Sequence, residues 1–237
     1  MTKKFIFDVD GTLTPSRKVI DDKFLEYMIK FCSKNECYIV TGSDRIKTVE
    51  QLTPKLYNKM KRVYQCAGAD VWEGNRHKTT MEFSISDNLK TLLDYWLNAS
   101  QFKKRTGHHF DIRPGMVNFS IVGRNADNVD RKDYFFWDQR IEERKKIAEI
   151  INTTFEDYEA AVAGETGIDI YYKGNNKSQI LKDFDDLINV YFFGDKIMRG
   201  GNDFEIAATI LENGGTAIPV DNWRETWSML KNVNELV

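Results

Sequence analysis

The sequence has few cysteines, almost no net charge and no long apolar run. Its three cysteines are an odd number without the spacing of a metal site, which favours reduced thiols inside the cell. A net charge of −2 gives no overall attraction to nucleic acid or to an anionic membrane. No apolar stretch approaches the roughly 20 residues of a membrane span, and Asp8 interrupts the first one, which excludes a signal peptide or anchor there. We therefore expect a soluble cytoplasmic protein with no nucleic-acid or membrane partner.

The chain opens with a short apolar run that ends in two carboxylates. Residues 5–7 are Phe-Ile-Phe, which is typical of a buried strand, and Asp8 and Asp10 follow with one residue between them. The carboxyl end of a strand is where open α/β sheets bind ligands. Neighbouring carboxylates repel unless a cation compensates them, and Mg²⁺ prefers such oxygens. The pattern predicts a magnesium site in which one carboxylate is a nucleophile toward phosphorus and the other a general acid and base. A pair of solvated turn aspartates is the alternative.

Two further strands are predicted to end in polar turns. Residues 37–40 lead into Thr-Gly-Ser-Asp at 41–44, whose hydroxyls and backbone N–H groups suit a phosphate, although Ser and Asp also cap helices. Residues 190–193 are an aromatic strand that leads into a glycine-rich loop with two acids. The candidate phosphate ligands are therefore Thr41 and Ser43. The candidate magnesium ligands are Asp8, Asp10, Asp195 and Asp203.

The order of the predicted elements changes in the middle of the chain. Residues 1–81 and 177–237 alternate strands and helices, with a helix from 177 to about 187, which predicts a parallel sheet. Residues 82–176 instead read as helix 86–102, hairpin 107–122, a charged helix over about 138–155 and hairpin 158–172. We therefore expect an α/β fold in which a Rossmann-like core carries an inserted, smaller α+β domain.

The inserted segment places arginines beside one face of its predicted sheet. Apolar and polar residues alternate along 116–122, and Arg124 continues the polar register. Asp169 has the polar register of the last strand, while Arg113 lies in the turn of the first hairpin and Arg131 a few residues beyond that hairpin. Arginine binds phosphate through a planar pair of donors, so this face is a candidate anion site. Ordinary solvated arginines are the equal alternative.

Three stretches resemble the eukaryotic-type phosphomannomutase family of the haloacid dehalogenase superfamily. They are residues 8–17 (DVDGTLTPSR), 113–124 (RPGMVNFSIVGR) and 192–206 (FFGDKIMRGGNDFEI), in the family's order. The resemblance implies a haloacid dehalogenase core with an inserted cap, a homodimer joined through the caps, and dependence on Mg²⁺. It implies interconversion of mannose 6-phosphate and mannose 1-phosphate for GDP-mannose biosynthesis, with a sugar 1,6-bisphosphate as activator and glucose phosphates as further substrates.

The resemblance also implies roles for individual residues. Asp8 would be the nucleophile, Asp10 the acid and base, and Lys177, which follows the inserted segment, a phosphate ligand. The hexose monophosphate would be held by Arg17, Arg113, Arg124, Arg131 and Asp169.

The chain departs from the family at three places, which bear on substrate preference more than on the reaction. Thr41 stands where the family usually has glycine, Gly167 where it has serine, and residues 66–68 are Cys-Ala-Gly where it has Glu-Asn-Gly.

Two rival functions share the motifs. A sugar-phosphate phosphatase would pass the phosphoryl group to water, and a silent sugar-phosphate-binding protein would pass it nowhere. The complete set of acids and Lys177 disfavours the second.

Overall fold

The computed structural model describes residues 3–232, which fold around two β-sheets. The strands are Lys4–Phe7 (β1), Glu36–Val40 (β2), Arg62–Gln65 (β3), Asp70–Glu73 (β4), Arg76–Thr80 (β5), Phe110–Arg113 (β6), Met116–Phe119 (β7), Tyr158–Ala163 (β8), Gly167–Tyr172 (β9), Val190–Gly194 (β10) and Thr216–Pro219 (β11). The helices are Asp22–Cys32 (α1), Arg45–Tyr57 (α2), Asp87–Ala99 (α3), Asn128–Ile141 (α4), Glu143–Thr154 (α5), Phe204–Glu212 (α6) and Trp223–Asn232 (α7). Within this part of the chain, no helix is long and apolar enough to cross a membrane.

The larger sheet has the strand order β11-β10-β1-β2-β3-β4-β5. Strands β11, β10, β1, β2 and β3 pair in parallel, as predicted, and β4 and β5 extend the edge in antiparallel fashion. The three apolar residues of β1 are buried because neighbouring layers cover both faces of a central parallel strand. Since β1 lies between β10 and β2, the turns that follow these three strands meet at one edge of the sheet.

Helix α2 shows how the sequence shapes the first half of the core. The Asp44 side chain accepts a hydrogen bond from the backbone N–H of Lys47 and caps the start of the helix. The helix is broken at Thr53, with φ of 63°, directly before Pro54, as the proline predicts. The three cysteines of the chain are buried free thiols.

The smaller sheet is antiparallel and has two differently used faces. Its apolar face, which includes Val117 and Ile170, packs against α3, α4 and α5. The opposite face carries Asn118 and Asp169 and lies over the carboxyl edge of the larger sheet, where Tyr171 packs against the segment after β3. The predicted alternation of apolar and polar residues is therefore confirmed.

Two helix predictions were wrong. A single helix was expected over 138–155, but α4 already begins at residue 128 and is separated from α5 by Glu142 in the left-handed region, with φ of 55°. Helix α4 lacks a regular apolar stripe, and Ile141, its last residue, is 40% exposed. The segment after residue 176 forms a 3₁₀ turn over Lys177–Asp183 instead of a helix to 187. This turn ends at Phe184, which is extended and packs edge-on against Tyr38.

Candidate active site

A cleft with about 520 Å³ of empty space separates the carboxyl edge of the larger sheet from the polar face of the smaller sheet. The larger sheet contributes the turns after β1, β2 and β10, and the smaller sheet contributes β7, β9 and the turn after β8. Two predicted site residues, Lys177 and Asp203, are buried behind the cleft. Lys177 contacts Asp8, and Asp203 contacts Lys177. The others line the cleft: Asp8, Asp10, Arg17, Thr41, Ser43, Arg113, Arg124, Arg131, Asp169 and Asp195.

Three carboxylates converge where β1 and β10 end. Asp8, Asp195 and Asp203 each offer an oxygen, and these oxygens lie within 4.8 Å of one another. Gly11 makes the approach possible, since a Cβ atom there would lie 2.5 Å from Asp195 Oδ2. Its φ of +90° also requires glycine. The Gly in the opening motif is therefore explained by close packing as well as by the turn.

Lys177 lies between two of these carboxylates. Its Nζ donates to Oδ1 of Asp8 and to Oδ1 of Asp203, both at a distance of 2.7 Å. Its side chain is only 1% exposed. Burial alone would lower the pKa of Lys177, but the two carboxylates outweigh it and raise this pKa. Lys177 therefore stays cationic and fixes the orientation of the Asp8 carboxylate.

The acidic cluster has more negative charge than Lys177 can neutralise. Burial raises the pKa of Asp8 well above its usual range, and Asp203 and Asp195 add to this effect against the influence of Lys177. Burial and Asp203 raise the pKa of Asp195 to about 6, although Lys196 opposes them. Buried carboxylate oxygens with uncompensated charge are the donor set of a hard divalent cation, so the residues fit Mg²⁺. Asp203 already accepts from Lys177 and, at 3.1 Å, from the backbone N–H of Lys196.

The Asp10 side chain lies outside this cluster. Its carboxylate accepts from Lys47 Nζ at 2.7 Å, from Gln51 Nε2 at 2.9 Å and from the backbone N–H of Arg17 at 2.6 Å. Burial alone would raise the pKa of Asp10, but Lys47 and these donors lower it to about 2. Asp10 is therefore ionised and oriented, as a general base must be.

Sequence reasoning missed Lys47 and Gln51. A signal was present, because Lys47 and Gln51 lie four residues apart and so share the face of α2 that continues the four-residue spacing from Ser43 in the turn before it. The two hydroxyls of this turn also differ in their contacts. Thr41 Oγ1 accepts from the backbone N–H of Ser43 within the turn, whereas Ser43 Oγ lies 3.0 Å from Lys47 Nζ and 3.4 Å from Asp10 Oδ2.

The cleft also holds four guanidinium groups. Arg113 and Arg124 share one carboxylate, Asp111, at 2.5 and 2.9 Å. Arg17 forms no ion pair with any carboxylate in the described part of the chain, and its φ of 58° is rare for a residue with a side chain. Burial and the nearby guanidinium groups of Arg124 and Arg131 lower the pKa of Arg17 to about 10. The cationic side of the cleft is therefore suited to an anion.

A chain of hydrogen bonds orders the side chains on the polar face of the smaller sheet. Arg124 Nη1 donates to Asn118 Oδ1, and Asn118 Nδ2 donates to Asp169 Oδ1, both at a distance of 2.7 Å. A Cβ atom at Gly167 would lie 2.5 Å from Asn118 Nδ2. The Asn118 amide thus takes the space that the serine of the family would need here. Asn118 was predicted on this face but not as a site residue.

Comparison with solved structures identifies the fold. The chain is similar over 99% of its length to 68% of the IMP-bound IMP-nucleotidase of Plasmodium falciparum, with a TM-score of 0.67 and 16% identity. It is similar over its full length to the whole of a haloacid dehalogenase-like hydrolase from Bacteroides thetaiotaomicron, with a TM-score of 0.58 and 10% identity. At these identities the likeness concerns the fold alone. The protein therefore has the fold of the haloacid dehalogenase-like proteins, as the opening motif predicted.

Sequence comparison is more specific. A profile of the eukaryotic phosphomannomutase family matches residues 24–233. A phosphomannomutase of Saccharomyces cerevisiae is 30% identical over 213 residues, which cover 85% of this chain and 83% of that protein. A phosphomannomutase of Dendrobium officinale is 28% identical over 228 residues, or 93% and 90% of the two chains. The chain belongs to the eukaryotic phosphomannomutase family, and the resemblance inferred from the three motifs is confirmed.

We expect Asp195→Asn to raise the free energy of unfolding of the metal-free protein by about 3 kcal/mol at pH 7. The pKa of Asp195 is about 6 in the folded protein, above its ordinary value of 3.8. Its charge therefore lowers stability above pH 6, less so between pH 6 and 4, and not below pH 4. Urea unfolding at pH 7 and pH 3.5, with a chelator present, measures this difference.

The exposed Asp221, which follows β11, provides the control, because Asp221→Asn should change stability little at either pH. A gain for Asp195→Asn that is the same at both pH values would contradict the assignment of the effect to the charge.

Proposed function

We propose that this protein is a phosphomannomutase that interconverts mannose 6-phosphate and mannose 1-phosphate through a phosphorylated Asp8. The observation that carries the proposal is the cleft itself, in which Asp8 and four guanidinium groups line the same space. One of them, that of Arg17, has no carboxylate partner among residues 3–232. A dianionic phosphate matches the guanidinium groups, while Asp8 is available to a second phosphoryl group. Membership of the phosphomannomutase family supports the same reaction.

The side chains can carry out both halves of the reaction. Ionised Asp10 takes the proton of the free sugar hydroxyl, whose oxygen then attacks the phosphorus held on Asp8. The bond to Asp8 breaks, and Lys177 stabilises the carboxylate that leaves. The resulting bisphosphate turns over, and Asp8 attacks the other phosphorus. Asp10 then returns its proton to the departing sugar oxygen.

The arginines serve whichever phosphate is not reacting. Because the intermediate presents its two ends alternately, the distal site must accept a 1-phosphate and a 6-phosphate. A cluster of guanidinium groups suits this task, since it recognises the charge and planar oxygen pairs of phosphate and not a particular sugar carbon. We assign this distal site to Arg17, Arg113, Arg124, Arg131 and Asp169, with Thr41, Ser43 and Lys177 beside the reacting phosphate.

We further propose Mg²⁺ as the metal and a sugar 1,6-bisphosphate as the activator. Asp8 and Asp195 would hold the ion with the main-chain carbonyl of Asp10, and Asp203 would support them. When bound, the metal would neutralise charge on the phosphoryl oxygens. The bisphosphate is needed because a water-sensitive phosphoaspartate must be restored whenever it is lost.

Residues 82–176 would act as a cap on a core of residues 1–81 and 177–237. The separate apolar core beneath the smaller sheet supports this division. Few polar contacts link the two parts, such as Arg113 to the carbonyl of Gly42 and the Val162 N–H to the carbonyl of Gly200. Opening would admit the sugar, and closure would exclude water from phosphorylated Asp8.

We also propose a homodimer through the caps, a cytoplasmic location and a role in GDP-mannose biosynthesis.

The direct test is to incubate the protein with Mg²⁺ and mannose 1-phosphate, with and without glucose 1,6-bisphosphate. Mannose 6-phosphate and free phosphate are measured separately. We expect mannose 6-phosphate to form with the bisphosphate present and to exceed free phosphate by a wide margin. Free phosphate without isomerisation would instead identify a sugar-phosphate phosphatase.

The cap arginines provide a second test. We expect Arg124→Ala to raise the KM for mannose 1-phosphate about tenfold, the loss of one charge-assisted hydrogen bond, with a smaller change in kcat. Arg140→Ala is the matched control, because Arg140 is an exposed arginine of the same segment that does not line the cleft. An unchanged KM in Arg124→Ala would remove this residue from the substrate site.

A further inference from the structure

The turn between β8 and β9 brings a carboxylate into the cationic side of the cleft. Glu165 lies in this turn, and its Oε2 accepts from Nη2 of Arg131 at 2.9 Å. The neighbouring Thr166 accepts from Nη1 of the same guanidinium at 3.2 Å. Arg131, one of the proposed phosphate ligands, is therefore occupied by side chains of the protein itself.

The two partners of this ion pair differ in their freedom to move. The Arg131 side chain is 6% exposed and so is fixed, whereas that of Glu165 is 37% exposed and can leave for water. The backbone next to Glu165 is fixed by a hydrogen bond, because Arg144 Nη1 donates to the carbonyl of Gly164 at 3.0 Å. Arg144 is itself fixed by a buried ion pair with Asp138 at 2.7 Å. The carboxylate of Glu165 can therefore move into water while the backbone of the turn stays in place.

A bound phosphate and Glu165 cannot both use this face of Arg131. Glu165 accepts from Nη2 of Arg131, and a phosphate that binds this guanidinium through a pair of donors needs N–H groups of the same fork. Two anions at hydrogen-bond distance from one guanidinium also repel each other. The other cleft arginines differ in this respect. Arg113 and Arg124 share Asp111, which lies at the rim, and Arg17 has no carboxylate partner among residues 3–232. Only at Arg131, in this part of the chain, must a carboxylate from the cleft lining leave before phosphate binds.

We propose that Glu165 is a specificity-determining residue that competes with the substrate phosphate for Arg131. The inference rests on the proposed function, in which Arg131 holds the distal phosphate of a hexose monophosphate. A dianionic phosphate displaces the singly charged Glu165, whereas a monoanion exchanges one charge for an equal one and gains little. When the bisphosphate intermediate turns over, Glu165 returns to Arg131 and weakens the hold on the departing phosphate.

The test compares the dissociation constant of mannose 1-phosphate, measured by calorimetry, in the wild type and in Glu165→Gln. We expect binding to become about threefold tighter, because a half-buried ion pair that opposes binding is removed. Glu156→Gln is the control, since Glu156 is an exposed glutamate before β8, at the end of that strand away from the cleft, and should leave the constant unchanged.

A double-mutant cycle separates competition at Arg131 from a general change of charge. In an Arg131→Ala background, Glu165→Gln should no longer tighten binding, because its partner is gone. An unchanged or weaker affinity in the single variant, or an equal gain in both backgrounds, would overturn the proposal. Turnover of the wild type is recorded separately. Binding of mannose 1-phosphate without isomerisation would contradict the proposed mutase function while the comparison of dissociation constants still decides the role of Glu165.

Discussion

The site depends on one buried contact, the bridge of Lys177 between Asp8 and Asp203. This ammonium group joins the end of β1 to the loop before α6 and lies at the point where the chain returns from the smaller sheet to the larger one. Without it, three carboxylates within 4.8 Å of one another would lie buried with too little positive charge nearby. Lys177 thus makes the acidic cluster compatible with folding and at the same time orients the carboxylate of Asp8.

The remaining charges of the cleft are arranged as pairs that a ligand can rearrange. Lys47 keeps Asp10 ionised, Asp111 balances two arginines, and Glu165 occupies Arg131. The acids come mainly from the larger sheet and the guanidinium groups mainly from the smaller one. A phosphosugar bound between them would therefore connect the two sheets through charge, and the proposed closure of the cap would then be driven by substrate binding.

The sequence predicted the parts of the site that depend on local pattern. Asp8, Asp10 and Asp195 follow apolar strands, and parallel pairing brings strand ends together, so their meeting followed from the order of elements. Lys47 and Glu165 could not be assigned in this way, because their roles depend on which helix face or turn meets which neighbour. Helix α4 was placed ten residues too late because it lacks an apolar stripe, although Asp127 caps its start through the N–H groups of residues 129 and 130.

The central claim is that the carboxylate of Asp8 carries the phosphoryl group between the two positions of the sugar. It is tested most directly by incubating the protein with Mg²⁺ and radiolabelled glucose 1,6-bisphosphate, quenching in acid and locating the label by peptide mapping. We expect an acyl phosphate on the peptide that contains Asp8, released by hydroxylamine and absent from Asp8→Asn. Label on another residue, or turnover in Asp8→Asn, would contradict it.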